Sequence, residues 1–234
     1  MASKTKLTEW VKDFKWREVS KGLDENPLLL EIRDKKGRNW LHLCSGADIR
    51  AKPTRKPKES IELAGVLLDR GIGINDAAFR EGNWKATALW YSVAWGRNLP
   101  LARYLLDRGS DPNHCLWAAP FNQDVAAIRL LVKAGADLDP GTETPFLFAI
   151  RWSHFKAAEE LLKLGADVNT QNDKKMSALH YMVKKGSDKK HFRMLMSYGA
   201  RGDLKDGNGV TAAEMMMKKR DPEFRAMAAK LVVA

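Results

Sequence analysis

The 234-residue sequence predicts an all-α solenoid of stacked helix-turn-helix units joined by short β-hairpin fingers. Three observations predict it. Apolar helical runs recur along the chain and each stops at a glycine. Polar turns leading into new helices recur between them. The hydrophobic content, 44%, is enough to bury a core along the whole chain.

The stops are VLLDRGIGIN (66–75), YLLDRGSDPN (104–113), LLVKAGADLD (130–139), ELLKLGADVN (160–169) and LMSYGARGDL (195–204). Glycine just past a helix end accepts the left-handed backbone that closes the helix, which other residues adopt only with strain. The starts are NWLHLC (39–44), TALWYS (87–92), HCLWAA (114–119), TPFLFA (144–149), SALHYM (177–182) and TAAEMM (211–216). Most open on Thr, Ser or Asn, whose side-chain oxygen satisfies the unpaired N–H groups of a new helix. His114 departs from that chemistry.

The pattern T-P-L-H, helix, turn, helix and then L-L-x-x-G-A-D-V-N resembles the ankyrin repeat. TETPFLFAI with ELLKLGADVN, and KKMSALHYM with LMSYGA, carry the resemblance best. The resemblance extends over nearly the whole chain, and its motifs are specific in combination. Helix starts at 39, 87, 114, 144, 177 and 211 are separated by 48, 27, 30, 33 and 34 residues. The last two intervals match the family period of about 33.

The element order follows. Residues 1–33 are expected to form an N-terminal helical cap, residues 34–203 five repeats, and residues 204–234 a C-terminal capping repeat, because terminal repeats must turn one face to water. The long first interval contains the basic stretch ADIRAKPTRKPKES (47–60), where Pro53 and Pro57 deny helix continuity and predict a loop. The short second interval runs from GSDPN straight into HCLWAA, so the repeat near 114–139 is expected to lack its hairpin finger. Asp221 and Pro222 predict the N-cap and first residue of a final helix.

Composition bounds the function. No secretory signal or membrane-length apolar run is apparent, which places the expected location in the cytoplasm. The cysteines, Cys44 and Cys115, fall in predicted helices and form no metal or redox pair, as suits buried hydrophobes in a reducing compartment. Lys and Arg number 40 against 29 acidic residues, a formal net charge of +11 that favours anionic partners.

No catalytic constellation is visible, and the chain is not expected to be an enzyme or to need a cofactor or metal. His114 and His191 lack a partner at metal-ligand spacing. The resemblance implies that His42 and His180 bridge neighbouring fingers and that His154 sits in an interhelical turn. GIGIND (71–76) ends a helix where a phosphate-binding glycine turn would open one. Glu159 and Glu160 are expected as solvated charge on a surface helix.

The resemblance also implies where a partner would lie: across the finger tips and the exposed face of each first helix. Counted from the helix starts, these positions are Ala94 and Trp95, Phe121 and Asn122, Arg151 and Trp152, Lys184 and Lys185, and Lys218 and Lys219. The finger tips add Lys35, Lys36 and Arg38, then Asn83, Trp84 and Ala86, then Asp173, Lys174, Lys175 and Met176. Aromatic anchors among basic residues predict a protein-interaction surface for an acidic protein partner. Nucleic acid or an anionic membrane is the alternative, with charge supplied by the loop IRAKPTRKPK (49–58) and the Lys-rich fifth repeat. No small-molecule substrate is expected, and the chain is expected to be monomeric on its own. Trp10, Trp16, Trp40, Trp90 and Trp117 fall at apolar helix positions and are expected in the core.

Overall fold

The computed structural model describes residues 2–81, 84–113, 115–141 and 143–232, with residues 81 and 84 described by their backbone alone. The chain forms two compact units, residues 1–118 with 133–136, and residues 119–132 with 137–234.

In the first unit, α1 (Lys4–Lys12), α2 (Trp16–Glu25) and a 3-10 turn (Pro27–Glu31) precede α3 (Trp40–Ser45) and α4 (Pro57–Asp69). A short antiparallel hairpin, β1 (Arg80–Glu81) and β2 (Trp84–Lys85), leads to α5 (Ala88–Ala94) and α6 (Leu99–Asp107). The helices pair α1 with α2, α3 with α4, and α5 with α6. One row is α1, α3, α5, and the other is α2, α4, α6. Leu7, Val11, Trp40, Leu41, Leu63, Leu67, Leu89 and Leu105 close the core between the rows. Trp40 satisfies its indole N–H on the carbonyl of Leu29 at 2.7 Å, so its burial leaves no unpaired donor.

A single-turn helix, α7 (Ala118–Phe121), and α8 (Val125–Lys133) follow. The second unit continues with α9 (Pro145–Arg151), α10 (Phe155–Lys163), α11 (Ala178–Lys185), α12 (Lys189–Ser197), α13 (Ala212–Met217) and α14 (Pro222–Val232). Here α9, α11 and α13 form a row, and α10, α12 and α14 pair with them in turn. Phe146, Leu147, Leu161, Leu179, Met182, Phe192 and Met216 fill its core.

Local chemistry accounts for the boundaries. Asn39, Thr87, Thr144, Ser177 and Thr211 are the N-caps of α3, α5, α9, α11 and α13. The five stop glycines, Gly71, Gly109, Gly135, Gly165 and Gly199, all take left-handed backbone, with φ from 80° to 103°. Asn75 then hooks the next stop, donating to the Gly109 carbonyl and accepting from the Asp111 N–H at 2.8 Å. Asn169 does the same to Gly199 and Arg201. Each unit thus repeats one junction at the spacing of its repeat.

The finger turns share a second device. Asp34 accepts the N–H groups of Lys36 and Arg38, Asn172 those of Lys174 and Met176, and Asp206 those of Asn208 and Val210. One side-chain oxygen thereby closes each turn. The left-handed position of these turns is held by Gly37, Lys175 and Gly209.

Several expectations change. The basic loop is shorter than its composition suggests: α4 begins at Pro57, which serves as the first helical residue where a missing N–H costs nothing. Cys115 lies ahead of α7 and outside any helix, because that helix starts only at Ala118. His114, the expected start, lies outside the described residues. Of the five tryptophans expected in the core only Trp40 is fully buried; Trp10, Trp16, Trp90 and Trp117 are half-buried, as suits a side chain so large that it is seldom enclosed completely. Asp221 and Pro222 open α14 as expected, with the Asp221 carboxylate accepting the Glu223 N–H.

Candidate functional site

The first candidate surface lies in the first unit. Thr87 caps α5, whose short length brings Trp95 to its C-terminal end, with the ring 50% exposed. Beneath it Tyr91 is buried, edge-on to His42, Trp90 and Trp95 at ring separations of 5.5, 5.1 and 5.8 Å. These contacts hold Trp95 in a fixed orientation. Phe79, 44% exposed, stands just ahead of β1, where the chain enters the hairpin. Phe79, Trp90, Tyr91, Trp95 and Ala78, with Lys35 and Lys36, line an open groove of about 530 Å³.

The first finger supplies its charge. Lys35 and Lys36 are exposed, and the Lys36 ammonium stands 5.9 Å from the Trp95 ring. Arg38, expected with them at the tip, is instead turned inward: it pairs with Asp34 at 2.6 Å and reaches over Tyr91. Burial pushes the Asp34 carboxyl up, but the Arg38 guanidinium and two backbone N–H groups together outweigh it and hold the group below the usual range. The side chain of Trp84, together with Asn83, lies outside the described residues, and Ala86 is buried.

Asp76 fastens this finger to the next. Its carboxylate accepts from Arg33 at 2.9 Å and Asn39 at 3.2 Å, and its carbonyl accepts from Nε2 of His42 at 2.9 Å. The other ring nitrogen of His42 accepts the Asn39 N–H. Burial pushes the imidazole down to about 4, so His42 is neutral and structural at physiological pH. His180 makes the equivalent link from Ser177 to the Val210 carbonyl at 3.1 Å. His154 caps the start of α10, and His191 stacks on Phe155.

A second candidate surface lies in the second unit. Trp152 ends α9 as Trp95 ends α5, and its ring is 52% exposed beside Phe148. Arg151 lies 6.0 Å from the Trp152 ring and pairs with Glu143 at 2.8 Å. Lys185 donates to the Arg151 carbonyl and the Ser153 hydroxyl, while Lys184 approaches Asp206 at 3.6 Å and the sulfur of Met176 at 3.5 Å. Lys174 is exposed on its finger, and Met176 is half-buried. At the end of this unit, Lys218 is exposed and Lys219 partly so, beside an apolar depression containing Met217 and Val232.

Phe121 ends α7 with 58% of its surface exposed, and Asn122 follows it half-buried. Sequence reading missed Phe79, which belongs to no helical period; its large apolar side chain in a finger turn was the available signal. It also misplaced Glu160. That residue is buried, with Arg129 bonded to both carboxylate oxygens, because α10 turns this side toward α8. Glu159 remains at the surface, paired with Lys163.

Among the described residues no His, Cys, Asp and Glu side chains gather as a metal site, and no helix is long and apolar enough to cross a membrane. Cys44 and Cys115 are free and buried; burial raises both thiols, that of Cys115 to about 12, so neither offers a ready thiolate.

Stacked pairs of short helices with turn-built fingers define a helical-repeat protein. Residues 146–195 match the family described as ankyrin repeats (many copies). Inversin of Homo sapiens is 28% identical over 132 residues, 55% of this chain but 12% of inversin, and inversin of Mus musculus is 27% identical over the same shares. The ankyrin repeat domain of Bcl-3, described as a unique member of the IkappaB protein family, superposes with a TM-score of 0.74 at 22% identity, covering 95% of this chain and 97% of that one. The human ASB11 ankyrin repeat domain gives a TM-score of 0.72 at 16% identity, covering 96% of both. The chain thus has the ankyrin-repeat fold, with the family's sequence match carried by residues 146–195. Domains of this kind are generally protein–protein interaction modules and typically not enzymes.

Proposed function

We propose that this protein docks an acidic protein partner through its aromatic and basic surfaces. The observation that carries the reading is the repeated placement of a half-exposed tryptophan, Trp95 and Trp152, at the same position of two repeats, each beside a cation. Large aromatics held rigid at the surface lose little entropy on binding and commonly supply most of an interface's affinity. Lys35, Lys36, Lys174, Lys184, Lys185, Lys218 and Lys219 then speed encounter with carboxylates more than they add affinity. Residues 1–33 and 204–234 act as caps, and the chain works as a monomer in the cytoplasm, where its two thiols stay reduced.

Quantitative affinity capture from source-cell extract, comparing wild type with a Trp95→Ala/Trp152→Ala double variant, tests this. Depletion of acidic proteins from the variant's catch, by at least the roughly 30-fold that one hot spot of about 2 kcal/mol supplies, is expected. Unchanged recovery removes the proposal.

The net charge of +11 favours a second reading, nucleic acid or an anionic membrane. The basic insertion lends it little, because Lys52 and Arg55 pair with Asp13 and Arg50 with Asp48. Steep salt dependence of random-oligonucleotide binding would support that reading.

A further inference from the structure

We propose that the groove bounded by Phe79, Trp95 and the first finger receives a short protein segment in which a large apolar side chain lies within a few residues of a carboxylate. The inference rests on the docking reading and specifies its ligand. The walls are Phe79 and Trp95, both about half exposed; the floor is Tyr91, packed edge-on between His42 and its neighbouring indoles. The volume, about 530 Å³, falls within the range of pockets that enclose side chains or small ligands, ~300–1,000 Å³. An apolar side chain entering it would cover the two exposed rings and leave the backbone of its own segment at the rim.

Charge decides what flanks that side chain. Among the described residues, the ionisable groups lining the groove are Lys35, Lys36 and the buried Tyr91 phenol, which makes that rim cationic. The nearest carboxylate of the same finger, Asp34, is already occupied by Arg38 and by the N–H groups of Lys36 and Arg38. Lys36 rests over Trp95 at the outer limit of a cation–π contact, 5.9 Å, where leaving the ring for a carboxylate costs little. An apolar floor with lysines at its edge complements a segment that is apolar in one place and anionic in the next. Continuous polyanions would meet the lysines but leave Phe79 and the floor unused.

Peptide phage display on the full chain tests the proposal, followed by fluorescence-anisotropy titration of the most enriched peptide. Enriched sequences are expected to place a large apolar residue within about three positions of Asp or Glu. Affinity is expected to fall at least about tenfold in Phe79→Ala, in Trp95→Ala and in Lys35→Glu/Lys36→Glu, and to hold in Trp152→Ala. Thermal melts of each variant separate lost binding from lost fold, and Phe79→Ala covers the case in which Trp95→Ala does not fold.

Enriched peptides without acidic residues, or peptides indifferent to Phe79→Ala and Trp95→Ala, overturn the proposal. If those peptides depend on Trp152 the docking reading stands while this groove is excluded; enrichment of nothing removes both. A random single-stranded oligonucleotide that displaces the peptide and needs Trp95 reassigns the groove to nucleic acid.

Discussion

Arg129 on α8 donates two hydrogen bonds to the buried carboxylate of Glu160 on α10, from Nε at 2.5 Å and from Nη2 at 3.0 Å. A buried carboxylate is tolerable only when charge or hydrogen bonds replace its lost water. Arg129→Met leaves it unpaired and is expected to lower Tm by about 2–5 °C, whereas Glu160→Gln costs less because a neutral amide is cheaper to bury. Arg129 depresses the Glu160 carboxyl below its ordinary 4.5, so the pair's contribution is full above that pH and is lost as pH falls through the lower folded value. Equal Tm for Arg129→Met and wild type, by calorimetry at pH 7, contradicts this account.

The finger turns predict substitutions of opposite sign. Gly37 has φ of 73°, and a Cβ there would meet the Ala78 carbonyl oxygen at 2.1 Å. Gly37→Ala should destabilise by more than ~1 kcal/mol through strain and collision together. Lys175 holds the equivalent position with φ of 52° and an exposed side chain. Lys175→Gly relieves that strain and should gain about 0.5 kcal/mol after the extra entropy of glycine is counted. Urea denaturation of both variants gives the two signs directly.

His42 predicts an acid-sensitive link between fingers. Its folded value of about 4 lies below the ordinary 6.5, so the folded state prefers it neutral, with Arg33 adding to the effect and Asp76 opposing it. The stability involved is complete above pH 6.5, declines as pH falls, and is gone below about 4; its span is up to roughly 3 kcal/mol. Chemical denaturation between pH 7 and 4 should show this slope, and His42→Gln should flatten it. The same slope in that variant would place the proton elsewhere.

Hydrogen exchange should be fastest, outside the termini, across residues 108–121. This stretch replaces a full helix with turns and the single-turn α7, and it closes with short-range bonds such as Cys115 N–H to the Pro112 carbonyl. Protection there equal to that of α9 and α11 would contradict the expectation.

Helix boundaries were legible because capping is local. Thr87, Thr144 and Thr211 satisfy N–H groups three residues away, and Gly71 or Gly165 adopts a backbone that its own lack of a side chain permits. The exposed positions of Trp95 and Trp152 followed from counting along the same repeat. Arg38 did not follow, because its inward turn depends on Asp34 folding back beneath it.

The sequence by itself determined the repeat, its stops, the starts of α3, α5, α9, α11 and α13, its terminal helices and the two tryptophans that end α5 and α9. Tertiary structure decided what lies at the surface between repeats. It half-buried Trp10, Trp16, Trp90 and Trp117, buried Glu160 under Arg129, tied Lys52 and Arg55 to Asp13, and brought Phe79 opposite Trp95. The physical reason is separation along the chain: caps and stops act within a turn of helix, while these contacts join residues 16 to 42 positions apart and exist only once the repeats stack.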